Sequence, residues 1–194
     1  MNLLDYKTYI FDLDGTIINS EPYHHIAYNT LLEDKISYEE YQRIFHSDIK
    51  HTFLSKNNLD KLKKEDIFKS VYIPEYIYGF ENFLNTLIHL GKDIIVVTNS
   101  SKERVDFIKS LHPLLCKVDK WYTDSPILNS KPASDNYIKA ITESGVSLNE
   151  IIIFEDSFTG YNSIKDLDVA KVFICTPSYY YYDMMTCVKG SVWD

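Results

Sequence analysis

The chain has 194 residues, 45% of them hydrophobic, which suffices for one well-buried core and a subsidiary lobe. With 20 Lys and Arg against 28 Asp and Glu the formal charge is −8, which argues against a broad nucleic-acid-binding surface but leaves room for a local basic pocket. No apolar stretch is long enough to cross a bilayer, Met1 to Lys7 lack the pattern of a secretory signal, and Cys116, Cys175 and Cys187 are spaced for neither a disulfide framework nor a zinc site. In chain order, the run Tyr9-Ile10-Phe11 passing into Asp12-Leu13-Asp14-Gly15-Thr16 reads as a first buried strand with two acids at its carboxyl end, where open α/β sheets bind ligands. Asp14, two residues on, shares a face of an extended strand with Asp12 and reaches the same ligand. Gly15 allows close backbone approach, and Thr16 serves as a ligand contact or a local turn cap.

Helical spacing follows in Glu21–Glu33, Ser37–Phe45 and Ile49–Leu54. Asn57–Lys69 is strongly charged, with lysines at 61, 63, 64 and 69, and reads as a solvated helix face rather than an anion-binding patch. From Phe80 the order is regular. A helix over Phe83–Leu90 stops at Gly91, a strand covers Asp93–Val97, and a helix covers Glu103–Leu111. Trp121–Thr123 is a short strand, Asp135–Ser144 a helix ended by Gly145, and Glu150–Phe154 a strand; a last helix near Gly160–Leu167 leads to a strand at Lys171–Cys175. Strands alternating with helices predict an α/β fold, a doubly wound parallel sheet with right-handed crossovers. The Tyr179–Tyr182 tract reads as a partly buried terminal segment, with a docking surface as the alternative.

Four segments fall at predicted strand ends or in a loop between them: Asp12-Leu13-Asp14-Gly15-Thr16, Thr98-Asn99-Ser100, Lys131-Pro132, and Glu155-Asp156-Ser157 with Gly160 beyond. In this order they resemble motifs I to IV of the haloacid dehalogenase superfamily, over Tyr9 to about Thr176. The resemblance implies a Rossmann-like core formed by residues 1–16 and 77–194, with a small helical cap inserted as residues 17–76. It implies that Asp12 is a nucleophile forming an aspartyl-phosphate. Asp14 is then the acid that protonates the leaving group and afterwards activates water, with its main-chain carbonyl helping to hold a metal. Thr98 and Asn99 bind phosphate oxygens, although Thr98 also suits a helix cap, and Lys131 offsets negative charge. Mg2+ suits a site of Asp12, Asp156 and a carbonyl, with Glu155 either a direct ligand or an orienting neighbour. Where the family commonly has a second proline after Lys-Pro-x, this chain has Ser134.

Asn19-Ser20-Glu21-Pro22-Tyr23-His24 resembles the cap entrance of the branch with phosphoglycolate phosphatases, sugar-phosphate phosphatases and β-phosphoglucomutase. Position 19 is Asn rather than the usual Asp, and the glycine-containing specificity loop is not recognisable around Arg43–Thr52. His24 is a candidate substrate contact or proton relay, against a plain packing role. Arg43 and Lys50 are candidates for the far end of a substrate. The expected function is a magnesium-dependent phosphatase of a small phosphorylated metabolite. The alternatives are a phosphomutase with the same first half-reaction and a catalytically idle binding module, which the presence of Asp12, Asp14, Lys131 and Asp156 disfavours. The expected setting is cytoplasmic, with reduced thiols, no membrane, no nucleic acid and no legible protein partner.

Overall fold

The computed structural model describes residues 3–45, 47, 49–118 and 120–173. Cys175, Cys187 and the Tyr179–Tyr182 tract lie outside them. Five strands form one parallel sheet: β1 (Thr8–Phe11), β2 (Asp93–Val97), β3 (Lys120–Tyr122), β4 (Ile151–Glu155) and β5 (Ala170–Phe173), in the order β3-β2-β1-β4-β5. The chain leaves β1 toward β2 on one side and later returns to pair β4 on the other. The carboxyl end of β1 is thus the switch point, where the helices flanking the two halves diverge and leave a crevice.

The predicted α/β sheet is borne out, and its apolar run explains why. Successive side chains alternate between faces, so Tyr9, Phe11, Ile94, Val96, Ile152 and Phe154 enter one buried cluster and Ile10, Ile95, Val97, Ile151 and Ile153 the other. On the first face lie α5 (Phe80–His89), through Phe80, Phe83, Leu84 and Leu87, and α6 (Lys102–Leu111), through Val105 and Ile108. On the second lie α7 (Asp135–Ser144), through Tyr137 and Ala140, and α8 (Phe158–Ile164), through Ile164. Phe11 meets Phe80 edge-on at 5.4 Å and stacks on Phe154 at 4.7 Å. Each fully buried side chain of this kind contributes roughly 1.5–3 kcal/mol, enough to fix the strand end that carries Asp12.

Between β1 and α5 run α1 (Glu21–Leu31), α2 (Tyr38–Phe45), α3 (Lys50–Asn57) and α4 (Lys61–Val71). Their packing is split. Ala27, Phe68 and Tyr72 join the sheet's first cluster, whereas Tyr41, Ile44 and Phe45 form a separate one with Tyr28, Ile36, Phe53 and Leu54 against them. Helix α4 corrects one expectation. Lys61 and Lys63 are exposed, but Lys64 is buried, so this charged run is not simply a solvated face. Among the described residues no helix is long and apolar enough to cross a membrane.

Candidate active site

The two acids of the first motif leave the sheet together. Asp12 N still donates to Phe154 O at 3.0 Å, but β1 ends at Phe11, and Asp14 lies in the turn that Gly15 completes at φ +86°. Strand alternation therefore does not bring Asp14 to the site; the turn does. Glycine is required there on two counts, since the positive φ disfavours a side chain and a Cβ would lie 2.2 Å from Asp156 Oδ2. Gly160 serves the same purpose behind Glu155, whose carboxyl would meet a Cβ at 1.9 Å.

A cavity of about 290 Å³ opens on both acids and is also lined by Ser20, His24, Tyr28, Tyr41, Lys50, Lys64, Thr98, Asn99, Ser100, Arg104, Lys131 and Asp156. A second cavity, of about 550 Å³, shares Tyr28, Lys64, Asn99 and Arg104 with it. On the sheet side, Lys131 Nζ donates to Asp12 Oδ1 at 2.5 Å and to Glu155 Oε1 at 2.6 Å, and lies 4.9 Å from the centre of the Tyr137 ring. Glu155 is fully buried. Its Oε1 also accepts from Tyr137 Oη at 2.7 Å, while its Oε2 accepts from Asp156 N, Ser157 N and Ser157 Oγ. Asp12, Glu155 and Asp156 can each offer one oxygen within 4.8 Å of the others. Burial pushes the Asp12 carboxyl up to about 7, with Glu155 and Asp14 adding to the rise and Lys131 opposing it. Burial likewise works against the Lys131 ammonium, but its two carboxylates outweigh it and hold the proton. Asp156 is raised for the same reasons as Asp12, burial first and then its acidic neighbours.

Asp14 sits in the opposite field. Its Oδ1 accepts from Ser20 Oγ at 2.7 Å and lies 3.3 Å from His24 Nε2; its Oδ2 accepts from Ser100 Oγ at 2.7 Å, with Arg104 Nη1 at 3.8 Å. Burial would raise this carboxyl, yet the His24 and Ser20 hydrogen bonds and the Arg104 charge bring it well below the ordinary value. His24 itself is held down to about 3, by burial first and then by Lys64, whose Nζ is 2.7 Å from Nδ1. A neutral ring accepting from Lys64 at Nδ1 carries its proton on Nε2, so it lends Asp14 a hydrogen bond rather than a charge. The ring stacks on Phe68 at 4.4 Å. Arg104, from α6, is clamped by Glu65 of α4, with Nε donating to Oε2 at 2.7 Å and Nη2 to Oε1, and it also donates to Ser100 Oγ at 3.2 Å.

Thr16 differs from the expected ligand contact: it is fully buried and its hydroxyl donates to Asp156 Oδ1 at 3.0 Å, so it orients that acid. Thr98 lines the cavity while its Oγ1 accepts from Ser100 N at 3.0 Å, and Ser101 caps α6. Asn99 also lines the cavity and grips the lysine loop in both directions, donating to Lys131 O at 3.0 Å and accepting from Lys131 N at 2.9 Å. The sequence reading missed Ser20, Ser100, Glu65, Arg104, Lys64 and Tyr137. The two serines sit inside motif segments already singled out, so their proximity was a usable signal. For Lys64 the signal was Phe68 four residues on, which marks the inward face of α4.

The model of the haloacid dehalogenase-like hydrolase family matches residues 9–174. Among solved structures, a HAD hydrolase of family IA, variant 3, from Entamoeba histolytica is 18% identical with a TM-score of 0.74, over 95% of this chain and 100% of that one. CbbY from Rhodobacter sphaeroides, in complex with phosphate, is 19% identical with a TM-score of 0.70, over 87% and 85%. A Bacteroides vulgatus protein provisionally named a β-phosphoglucomutase is 19% identical, also at 0.70, over 95% and 82%. At such identities the solved structures share the fold, whereas the family model spans most of the chain and includes all four motif segments. The chain belongs to the haloacid dehalogenase-like hydrolases.

Proposed function

We propose that this hydrolase is a magnesium-dependent phosphatase acting on a small phosphomonoester through an aspartyl-phosphate on Asp12. One observation carries the reading: two carboxylates two residues apart open on one cavity, Asp12 bound to a buried ammonium and Asp14 ringed by hydrogen-bond donors. In the first step an Asp12 oxygen attacks phosphorus, the ester P–O bond breaks, and Asp14 gives its proton to the departing oxygen. In the second, water attacks the acyl phosphate, Asp14 takes the water's proton, and inorganic phosphate leaves with Asp12 restored. Asp14 is ionised in the resting site. A phosphate dianion entering beside it adds negative charge and raises its proton affinity toward what the first step needs.

Lys131 offsets the charge that develops on the transferring group, and Thr98 and Asn99 are suited to hold its oxygens. The hard-oxygen set of Asp12 and Asp156 fits a magnesium ion, with the Asp14 carbonyl as the family resemblance implies. Glu155 is fitted to position Lys131 instead, because both of its oxygens already accept hydrogen bonds. When bound, the ion neutralises phosphoryl oxygens. Residues 17–76 are read as a cap over a core of residues 1–16 and 77–194, which closes on the substrate and excludes stray water.

The test is a phosphate-release screen over sugar phosphates, phosphoglycolate and nucleoside monophosphates, with and without magnesium, joined to acid-quench mass spectrometry of the peptide bearing Asp12. Magnesium-dependent release with a phosphorylated Asp12 is expected. Full activity in chelator, or turnover without phosphoenzyme, rules the mechanism out. The mutase alternative draws on the Bacteroides vulgatus neighbour's name; it requires isomerisation of a hexose phosphate when a bisphosphate primer is supplied.

A further inference from the structure

Lys131 stands in residues 123–134, between β3 and α7, a stretch that belongs to neither helix nor strand. Two carboxylate oxygens hold its ammonium, Asp12 Oδ1 at 2.5 Å and Glu155 Oε1 at 2.6 Å. A single side chain holds its main chain. Asn99, in the turn after β2, donates through Nδ2 to Lys131 O at 3.0 Å, and its Oδ1 accepts from Lys131 N at 2.9 Å. Among the described residues the Lys131 main chain has no other hydrogen bond. A side-chain amide presents the acceptor and donor of a peptide unit, so this pair copies one rung of a strand ladder and fixes the loop residue in place and direction. Two further hydrogen bonds brace the loop: Asp124 N donates to Ser100 O at 3.0 Å, and Ser130 Oγ donates to Asp124 Oδ1. The pairing with Lys131 occupies Asn99 Oδ1 and one of the two Nδ2 hydrogens. Thr98 is placed otherwise, since its Oγ1 accepts from Ser100 N and keeps its own hydrogen to give.

We propose that Asn99 is the positioning residue of Lys131: its amide fixes the root of the lysine side chain, so that the ammonium keeps its place while the charge on Asp12 is consumed. This role rests on the phosphatase reading. When an Asp12 oxygen attacks phosphorus, the carboxylate becomes an acyl phosphate and gives up its charge. Lys131 thus loses one of its two carboxylate anchors at the moment when it must meet the charge on the transferring group. A flexible four-carbon stem separates the ammonium from the main chain. With its head half released, the place of its root decides where the charge rests, and a small displacement there is costly in rate. Phosphate oxygens are left to the Thr98 hydroxyl and the Asn99 main-chain N–H, and the Asn99 side chain acts through the lysine.

The test uses the full chain with p-nitrophenyl phosphate and magnesium. Asn99→Ala should lower kcat about tenfold or more, while KM and the inhibition constant of inorganic phosphate stay within about twofold. In a Lys131→Met background the same change should cost less than about twofold in kcat, because the group it positions is gone. Equal losses in the two backgrounds, or phosphate binding weakened about tenfold, would put the spare Nδ2 hydrogen on the phosphate and overturn the proposal. If Lys131→Met is too slow to time, phosphate affinity in that background, read by calorimetry, decides by the same criterion. A second readout needs no turnover. Asp12→Asn removes the charge that the reaction consumes, and acetic anhydride labelling with peptide mass spectrometry should still find Lys131 protected there. Adding Asn99→Ala should make Lys131 reactive while Lys64, also buried, stays unlabelled. Lys131 labelled with Asn99 intact, Lys131 protected without it, or both lysines labelled together would each overturn the role. If wild type hydrolyses no ester, the phosphatase reading falls, and the labelling alone judges Asn99.

Discussion

Asp12 and Asp14 are two residues apart, yet they occupy opposite fields, and the difference lies in who supplies their neighbours. Asp12 is set among core groups, sharing the Lys131 ammonium with the buried Glu155 and lying beside Asp156, and burial with these acidic neighbours raises its proton affinity. Asp14 faces Ser20 and His24 from the segment after β1 and Ser100 and Arg104 from the turn after β2 and from α6, with Arg104 held by Glu65 of α4; these donors and this positive charge lower its affinity. Two carboxylates of the same residue type are thereby made unlike by environment alone, as the proposed roles of nucleophile and acid–base group require. The lesson is that residues between β1 and α5, together with Arg104 of α6, set the charge state of Asp14.

The sharpest way to break the contrast is to remove the charge at Asp12. Asp12→Asn should lower turnover roughly a thousandfold or more, because the amide keeps the shape without the nucleophile. The same change should raise the melting temperature of metal-free protein. Burial lifts the Asp12 carboxyl from 3.8 to about 7, so the folded state holds an additional proton between those values and loses stability as pH rises through that window. Asparagine abolishes that loss. Melting curves in chelator at several pH values check it; a variant less stable than wild type at pH above 7 would show that the Lys131 pairing outweighs carboxylate repulsion.

On the other side, Asp14→Asn should cost roughly a hundredfold through lost proton transfer. Magnesium affinity, followed by calorimetry, should hold, since the side chain is occupied by Ser20, His24 and Ser100. A variant that recovers full activity at high magnesium would place Asp14 among the ligands instead. Arg104→Met should have a smaller effect, roughly tenfold in kcat. Removing its charge should raise the Asp14 pKa, which carboxyl carbon NMR reads directly; an unmoved titration would leave Arg104 as a brace between α4 and α6 and nothing more.

How much of this was legible in the sequence follows the same divide. Strand β2 occupies Asp93–Val97 and helix α7 Asp135–Ser144, as read, because an apolar run between polar stops and an amphipathic helix ended by Gly145 are local signals. Asp12 and Asp156 reach the site because the ends of β1 and β4 place them there, and Asp14 because of the turn completed by Gly15. Arg104 and Glu65, 39 residues apart, carry no local sign of their pairing. Lys64 was hidden by composition: of lysines 61, 63, 64 and 69 it is the buried one, and a count of charges does not show helical phase. Thr16 was read for a ligand because its neighbours suggested one, whereas its hydroxyl serves Asp156 across 140 residues of chain.

The smallest expected effect tests whether the core side is as redundantly held as its hydrogen bonds indicate. Tyr137 is fully buried, and its hydroxyl donates to the Glu155 oxygen that also receives Lys131. Tyr137→Phe keeps the ring under the ammonium and removes one donor. Glu155 still accepts from Lys131, Asp156 N and Ser157, and Lys131 still reaches Asp12. The loss should be about 1 kcal/mol of stability, as for one buried hydrogen bond, seen as a melting point lower by roughly 2–4 °C. Activity should fall no more than about threefold, since no group that touches the phosphate is left without its partner. A tenfold or greater fall at unchanged stability would mean that the hydroxyl sets the position of Lys131 with no slack, and that the core side, unlike the many-donor surroundings of Asp14, depends on a single contact.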